Sequence, residues 1–319
     1  MNQLLDLHEQ SNSGCLACVK SARQQNSDDG ICTIAVSTAD GGPVRCVGGW
    51  ATQKIHFLTQ YLGIFAAGMK SKWGGNIHYI ELCSGPGRCL VRETAREMDG
   101  SALAVLGHQA AQYLKTATFI DYNPKVVQAL NDRISRMETT PDAVAIEADY
   151  NDTRTLADIV RRRASTGLSL VFIDPTDCSL PFDAVKAIAF AAQNADFIIN
   201  VATGTDASRN LKQAILNPNI PVRAKYAKFL GNDSFFTQPQ NVQMAQMAKD
   251  RDLRIAFRTA YCDSFQALGY RHFAFEAVKS NSHTFYDLMF ASRHPLGLKF
   301  WKEAQRIGPD EQRTFDLGV

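Results

Sequence analysis

Short apolar runs alternate with amphipathic stretches along most of the chain, and each spacing predicts an element. Apolar residues recur at helical intervals at Trp50, Phe57, Leu58, Tyr61, Leu62, Phe65 and Met69, which predicts an amphipathic helix closed by Gly74-Gly75. Residues 77–82 form an apolar run that enters Ser84-Gly85-Pro86-Gly87, so a strand feeding a glycine-containing turn is expected. Further strands are predicted at 117–121, 143–146, 168–173 and 197–201, with helices at 125–136, 155–163 and 182–193 between them. Asn123-Pro124 supplies a capping side chain and a proline for the first helical position. The run 168–173 is almost wholly apolar, as a parallel strand covered on both faces should be. Strands alternating with helices predict an α/β fold with a parallel sheet. Residues 205–265 are more helical and polar, and an insertion or lid is expected there. Near the end, 272–278 and 284–290 read as a hairpin, which makes the last strand antiparallel.

Composition narrows the class. Of 319 residues, 45% are hydrophobic and 21% charged, with 34 Lys and Arg against 32 Asp and Glu for a net charge of +2. These proportions exclude a disordered, collagen-like or coiled-coil chain, and the balance gives no whole-protein attraction to nucleic acid or membrane. No run reaches the roughly 18 apolar residues of a spanning helix. The start, Met1-Asn2-Gln3-Leu4-Leu5-Asp6, lacks a basic segment followed by an apolar one. The expected location is therefore the cytoplasm, where disulfides are rare.

That expectation makes the eight cysteines informative. Cys15, Cys18, Cys32 and Cys46 fall in a polar N-terminal stretch, as a C-x2-C pair followed by two cysteines at thirteen-residue gaps. Four thiolates can complete a tetrahedral zinc site and staple a segment too polar to build its own core. Free thiols on a loose arm and an iron–sulfur cluster are the other readings of the same pattern. Residues 1–48 are expected to form this Cys-containing arm and 49–319 the α/β domain. The dispersed cysteines read as buried free thiols.

In open α/β sheets, ligands sit beyond the carboxyl ends of the strands. Those ends carry Glu81 with Cys83-Ser84-Gly85-Pro86-Gly87, then Asp121-Tyr122, Asp149-Tyr150 and Asp174-Pro175. Small residues let a ligand approach backbone amides. Asp121 is placed to accept both hydroxyls of a ribose, and Asp149 to receive an exocyclic amine. The set suits an adenosine with a short charged tail. A nicotinamide site would need G-x-G-x-x-G with an acid about 20 residues on; here the turn is S-G-P-G-R-C, and Asp121 lies 36 residues beyond Gly85. With the antiparallel last strand, this favours S-adenosylmethionine (SAM) and a class I methyltransferase-like, Rossmann-like seven-stranded sheet.

From about Gly49 onward the motifs resemble the three-Cys-motif partner protein family. They are Trp50-x3-Lys54, Tyr79 to Arg88, Gly100-Ser101-Ala102, Phe119-Ile120-Asp121, Asp149-Tyr150-Asn151, Phe172-Ile173-Asp174-Pro175, Ile198-Ile199-Asn200 and Phe290 to Gly297. Two places depart from that family: Glu81 stands where Asp is usual, and Cys83-Ser84 where an aromatic-Ala pair is usual. The resemblance implies a class I methyltransferase-like fold, SAM binding, methyl transfer to an undefined acceptor, and a separate partner similar to radical-SAM enzymes that carries the family's three cysteines.

Methyl transfer from a sulfonium is an in-line displacement in which positioning supplies much of the rate. Asp174 is the candidate acceptor-orienting group, and Lys54, one helical turn after Trp50, the candidate that faces it. The Asp174-Pro175-Thr176-Asp177 turn lacks the second proline and the aromatic that amine-methylating enzymes favour. Cys178 could act as a nucleophile only with a depressed pKa. Arg88, Arg92 and Arg96 recur every four residues, which reads as one face of a helix; together with Lys70, Lys72 and His residues they could touch phosphates. Nucleic acid is thus one candidate acceptor beside protein or a small molecule. A catalytically inactive SAM-fold partner subunit and a zinc-stapled nucleic-acid-binding protein are the competing classes.

Overall fold

The computed structural model describes residues 27, 28, 30–280 and 283–308. Cys15 and Cys18 lie outside the described residues.

The principal sheet contains β4 (Ile77–Leu82), β7 (Thr116–Asp121), β8 (Asp142–Glu147), β9 (Leu168–Ile173), β10 (Ala195–Val201), β11 (His272–Ser280) and β12 (His283–Ser292). Their spatial order is β11-β12-β10-β9-β4-β7-β8. Strands β8, β7, β4, β9 and β10 run parallel, and β12 lies antiparallel between β10 and β11. This is the Rossmann-like, class I methyltransferase-like arrangement the sequence predicts, with both residues 77–82 and 168–173 falling where expected. The chain leaves β4 to one side for β7 and later returns to its other side for β9. The crevice at that reversal opens at the carboxyl ends of β4 and β9.

Helices cover both faces. On one side pack α1 (Trp50–Met69), α2 (Ser101–Leu106), α3 (Pro124–Ile134) and, near the end, α10 (Pro295–Ala304); on the other, α4 (Thr153–Ala164) and α5 (Phe182–Ala191). Side-chain alternation assigns each strand residue to one of two cores. Tyr79, Phe119 and Phe172 join the first, while Ile80, Ile120 and Ile173 join the second. Residues 205–265 contain α6 (Ser208–Leu216), α7 (Pro221–Leu230), α8 (Pro239–Gln246) and most of α9 (Asp250–Ala267). The buried face of α9 is aromatic and joins the second core: Phe257, Tyr261 and Phe265 pack against Phe182 and Phe229.

The stretch after Gly87 overturns one expectation. Residues 88–99 are not a helix; β5 (Arg88–Val91) and β6 (Arg96–Asp99) form an antiparallel pair. Cys89, Leu90 and Val91 are buried, which a strand at this position satisfies, and Ala95 takes a left-handed φ of 51° in the turn. The three arginines therefore do not share a helical face. Arg88 pairs with Asp99 at 3.0 Å, Arg92 donates to the Val47 carbonyl, and Arg96 is exposed.

The described part of the N-terminal region packs onto this hairpin. β1 (Ser27–Asp28) and β2 (Ile31–Cys32) pair antiparallel, and β3 (Arg45–Val47) runs parallel to β5, giving a sheet of order β3-β5-β6. Cys32, Ala35, Val44, Leu90 and Ala95 form a small core there, with Cys46 at its margin. Arg133 on α3 fastens it: the guanidinium binds both oxygens of Asp40 and donates to the carbonyls of Pro43 and Pro86. Among the described residues, no helix is long and apolar enough to cross a membrane.

Candidate functional site

The turn after β4 is built from three residues with left-handed backbone. Cys83, Gly85 and Gly87 have φ of 60°, 66° and 89°. Glycine is required at Gly87, where a Cβ would stand 2.9 Å from Leu130 Cδ1. At Gly85 the space above the backbone is open except for Arg45. Cys83 adopts a conformation that costs a non-glycine residue on the order of 1 kcal/mol, a cost the surrounding structure sustains. The Ser84 N–H donates to the Ile120 carbonyl at 3.3 Å, which ties the turn to the end of β7.

Asp121, at the end of β7, latches that turn. Its Oδ2 accepts the Gly85 N–H at 3.1 Å, and its Oδ1 accepts the Asn123 N–H at 3.1 Å. Glu81 lies behind the turn. It is fully buried, receives hydrogen bonds from Tyr79 and Ser101, and does not line either cavity described next. Burial pushes its carboxyl up to about 8, against the opposing effect of those two donors.

Two cavities adjoin at the turn. The larger, about 540 Å³, is bordered by Cys83, Asp121, Tyr122, Asp149, Tyr150 and Asp174. The smaller, about 300 Å³, is bordered by Ser84 to Gly87, Trp50, Lys54, Asn200 and Tyr286. Arg45, Cys83, Asp174, Pro175 and Thr176 belong to both. Asp149 is exposed at the rim, its Oδ1 taken by the backbone and side-chain amides of Asn151. The Tyr150 hydroxyl meets Ser179 at 3.1 Å, with burial raising its pKa.

The predicted pair Lys54 and Asp174 is brought together. Their side chains form an ion pair and are 9% and 14% exposed. Asp174 Oδ1 also accepts from Asn200 Nδ2 at 2.9 Å, and the same amide nitrogen donates to the Pro175 carbonyl. Asn200 is 3% exposed, and its Oδ1 has no partner among the described residues; nor has the buried Ser84 hydroxyl. Above them, Trp50 stacks on Phe285 at 5.8 Å and meets Tyr286 edge-on at 4.8 Å, with Lys54 Nζ over the Trp50 and Tyr286 rings.

The six cysteines among the described residues are free thiols. Cys178 is fully buried and its pKa is raised by burial first and by Asp206 second, so the depressed pKa a nucleophile needs is absent. Its backbone N–H donates to Asp206, which Lys225 and Tyr226 also hold, tying the 174–178 turn to α7. Cys32 and Cys46 are free thiols beside the small N-terminal core. No group of three or more His, Cys, Asp or Glu suited to a metal occurs among the described residues. The predicted metal set shares only Cys32 and Cys46 with those residues.

Residue-by-residue reasoning missed Arg45, Asn200 and Tyr286 as lining groups. For Asn200 a signal existed, since a lone amide interrupts the apolar run 197–201 just before its carboxyl end. Arg45 had none, because its position depends on the pairing of β3 with β5.

No family model matches the chain, and no curated protein matches it. Solved structures similar in fold include the methyltransferase domain of bacterial CtHen1, at 13% identity over 74% of this chain and 98% of that one, with a TM-score of 0.39. Another is the magnesium protoporphyrin IX methyltransferase of Synechocystis PCC 6803 with bound SAH, at 12% identity over 76% and 87%, TM-score 0.35. TrmK of M. capricolum in complex with SAH is a third, at 10% identity over 72% and 68%, TM-score 0.33.

Proposed function

We propose that the chain is a SAM-dependent methyltransferase. The observation that carries the reading is the pair of adjoining cavities at the sheet's reversal point, walled by the left-handed turn 83–87, Asp121 and the Lys54–Asp174–Asn200 group. The residues present fit such a ligand. The larger cavity offers carboxylates and aromatic rings for a nucleoside, and the glycine-containing turn offers an open approach. Buried Ser84 Oγ and Asn200 Oδ1 each still have hydrogen-bonding capacity.

Bound SAM supplies a methyl group on a sulfonium, which leaves as the neutral thioether. The chain's own residues do the rest. Asp121 holds the turn in shape by accepting the Gly85 N–H. Asn200, fixed through its Nδ2, presents Oδ1 to an N–H or O–H of the acceptor. Asp174 carries the negative charge beside it, and Lys54 holds that carboxylate in one orientation. Burial of the pair in a narrow cavity excludes water and strengthens these contacts. The wall of Trp50, Phe285 and Tyr286 favours a flat acceptor, such as a nucleobase, over a flexible aliphatic one. The motif resemblance to the three-Cys-motif partner proteins adds a radical-SAM-like partner to the same proposal.

Calorimetry with SAM and S-adenosylhomocysteine tests the cofactor. Saturable heat with both, lost in Asp121→Ala, is expected; no heat with either ends the reading. Methyl-labelled SAM incubated with RNA, DNA and protein fractions then separates an active enzyme from a SAM-binding subunit without activity.

A further inference from the structure

Three cations reach the two cavities, and two of them are engaged. Lys54 pairs with Asp174, and Arg92 donates to the carbonyls of Cys46 and Val47. The third is Arg45 on β3. It lines both cavities and is half-buried, and among the described residues its guanidinium has no hydrogen-bond or ion-pair partner. Its Nη1 lies 3.7 Å from the place a Cβ on Gly85 would occupy, and its Cζ lies 3.6 Å from the corresponding point on Gly30. The side chain therefore stands over the open backbone of the turn, where the two cavities meet.

A guanidinium drawn partly out of water without an anion is unfavourable, and its planar fork of N–H donors matches a carboxylate in bidentate fashion. The scaffold fixes the fork in place. β3 pairs with β5 in register, Arg45 opposite Cys89, and the loop before β3 is fastened by the buried Arg133–Asp40 pair. Arg133 also holds the Pro86 carbonyl, so Arg45 and the turn keep a set distance. The other charged side chains shared by or facing the larger cavity are the acids Asp121, Asp149 and Asp174, which cannot receive an anion.

We propose that Arg45 binds the α-carboxylate of the amino-acid end of SAM. The assignment rests on the SAM reading above and deepens it. The nucleoside occupies the larger cavity, the chain passes the Gly85 turn, and the carboxylate meets Arg45 at the junction. Arg45 lines both cavities beside the Gly85 turn, a position suited to a ligand that spans them, whereas a backbone phosphate of a nucleic-acid acceptor is the alternative the test separates.

The experiment compares two ligands on two proteins by calorimetry. SAM carries the carboxylate, whereas 5′-methylthioadenosine keeps the nucleoside and thioether without the amino-acid end. In Arg45→Gln, SAM affinity is expected to fall about tenfold or more, with 5′-methylthioadenosine affinity changed by less than about twofold. Retained binding of the second ligand also reports an intact fold. Equal losses for both ligands, or an unchanged affinity for SAM with or without weaker binding of single-stranded RNA, would overturn the assignment and leave the SAM reading standing. Wild-type protein that binds neither ligand would overturn both.

Discussion

Lys54 on α1 and Asp174 at the end of β9 stand 120 positions apart in the chain and form an ion pair in the wall of the smaller cavity. Both charges are mostly shielded from water, so removing either strands the other. Lys54→Met or Asp174→Ala alone is expected to cost about 3–5 kcal/mol, and the double change Lys54→Met with Asp174→Leu much less than the sum. Urea denaturation of the two single variants and the double variant measures the coupling. Asp174→Asn keeps an acceptor for Asn200 but removes the charge; methyl transfer should drop about a hundredfold or more. A rate within twofold of wild type would show that the carboxylate has no part in the reaction.

Glu81 gives a pH signature. Its carboxyl is raised from 4.5 to about 8 in the folded protein, chiefly by burial. The folded state therefore holds a proton that the unfolded state has lost. This contribution is fully present below pH 4.5 and disappears as pH rises through about 8, with a slope approaching 1.4 kcal/mol per pH unit, roughly, between those limits. Glu81→Gln removes the titrating group. The difference in melting temperature between variant and wild type should shift in the variant's favour as pH increases from 5 to 8; a constant difference would contradict the buried carboxyl.

Cys83 is the non-glycine member of the left-handed turn. Cys83→Gly is expected to stabilise the protein slightly or leave it within about 1 kcal/mol, because lost packing offsets relieved backbone strain. Cys83→Val puts a branched side chain at φ 60° and should destabilise by about 1–2 kcal/mol or more. Thermal melts of both variants decide it, and equal stability for Val and Cys would count against strain at this position.

Arg133 is 5% exposed and joins Asp40, Pro43 and Pro86. It holds the Asp40 carboxyl well below the usual carboxylate range, so that contribution is present at neutral pH and lost under strong acid. Arg133→Ala leaves a half-buried carboxylate and two carbonyls without their donor, and should cost about 2–4 kcal/mol. Limited proteolysis should then cut within residues 30–45 at least ten times faster, about, than in wild type. Unchanged cleavage would mean that the β3 pairing alone holds the segment.

Local periodicity was enough for the frame. Trp50–Met69, Ile77–Leu82 and Leu168–Ile173 have the predicted limits, since their apolar spacing reflects burial by neighbouring layers. The hairpin at 88–99 was hidden because three arginines spaced by four mimic a helix, while each strand is only four residues long. Its turn uses Ala95 rather than a glycine, which removes the usual local marker. Glu81 was assigned to the ligand because it ends the strand before the turn. Its parity with Tyr79 sends the side chain instead into the core under α2, a distinction that period-two counting makes available. The meeting of Lys54 with Asp174, and the arrival of Arg45 at Gly85, depend on contacts across the fold and leave no trace in local spacing.

The fastening of β3 bears on how this protein is cut for study. A chain begun at Gly49 would retain every strand of the large sheet yet strip the edge from β5 and take three of four acceptors from Arg133, leaving only the Pro86 carbonyl. Such a fragment would present a raw strand flank to its neighbours in solution, and the pocket's backbone would drift with it. The shortest useful truncation therefore keeps the strap.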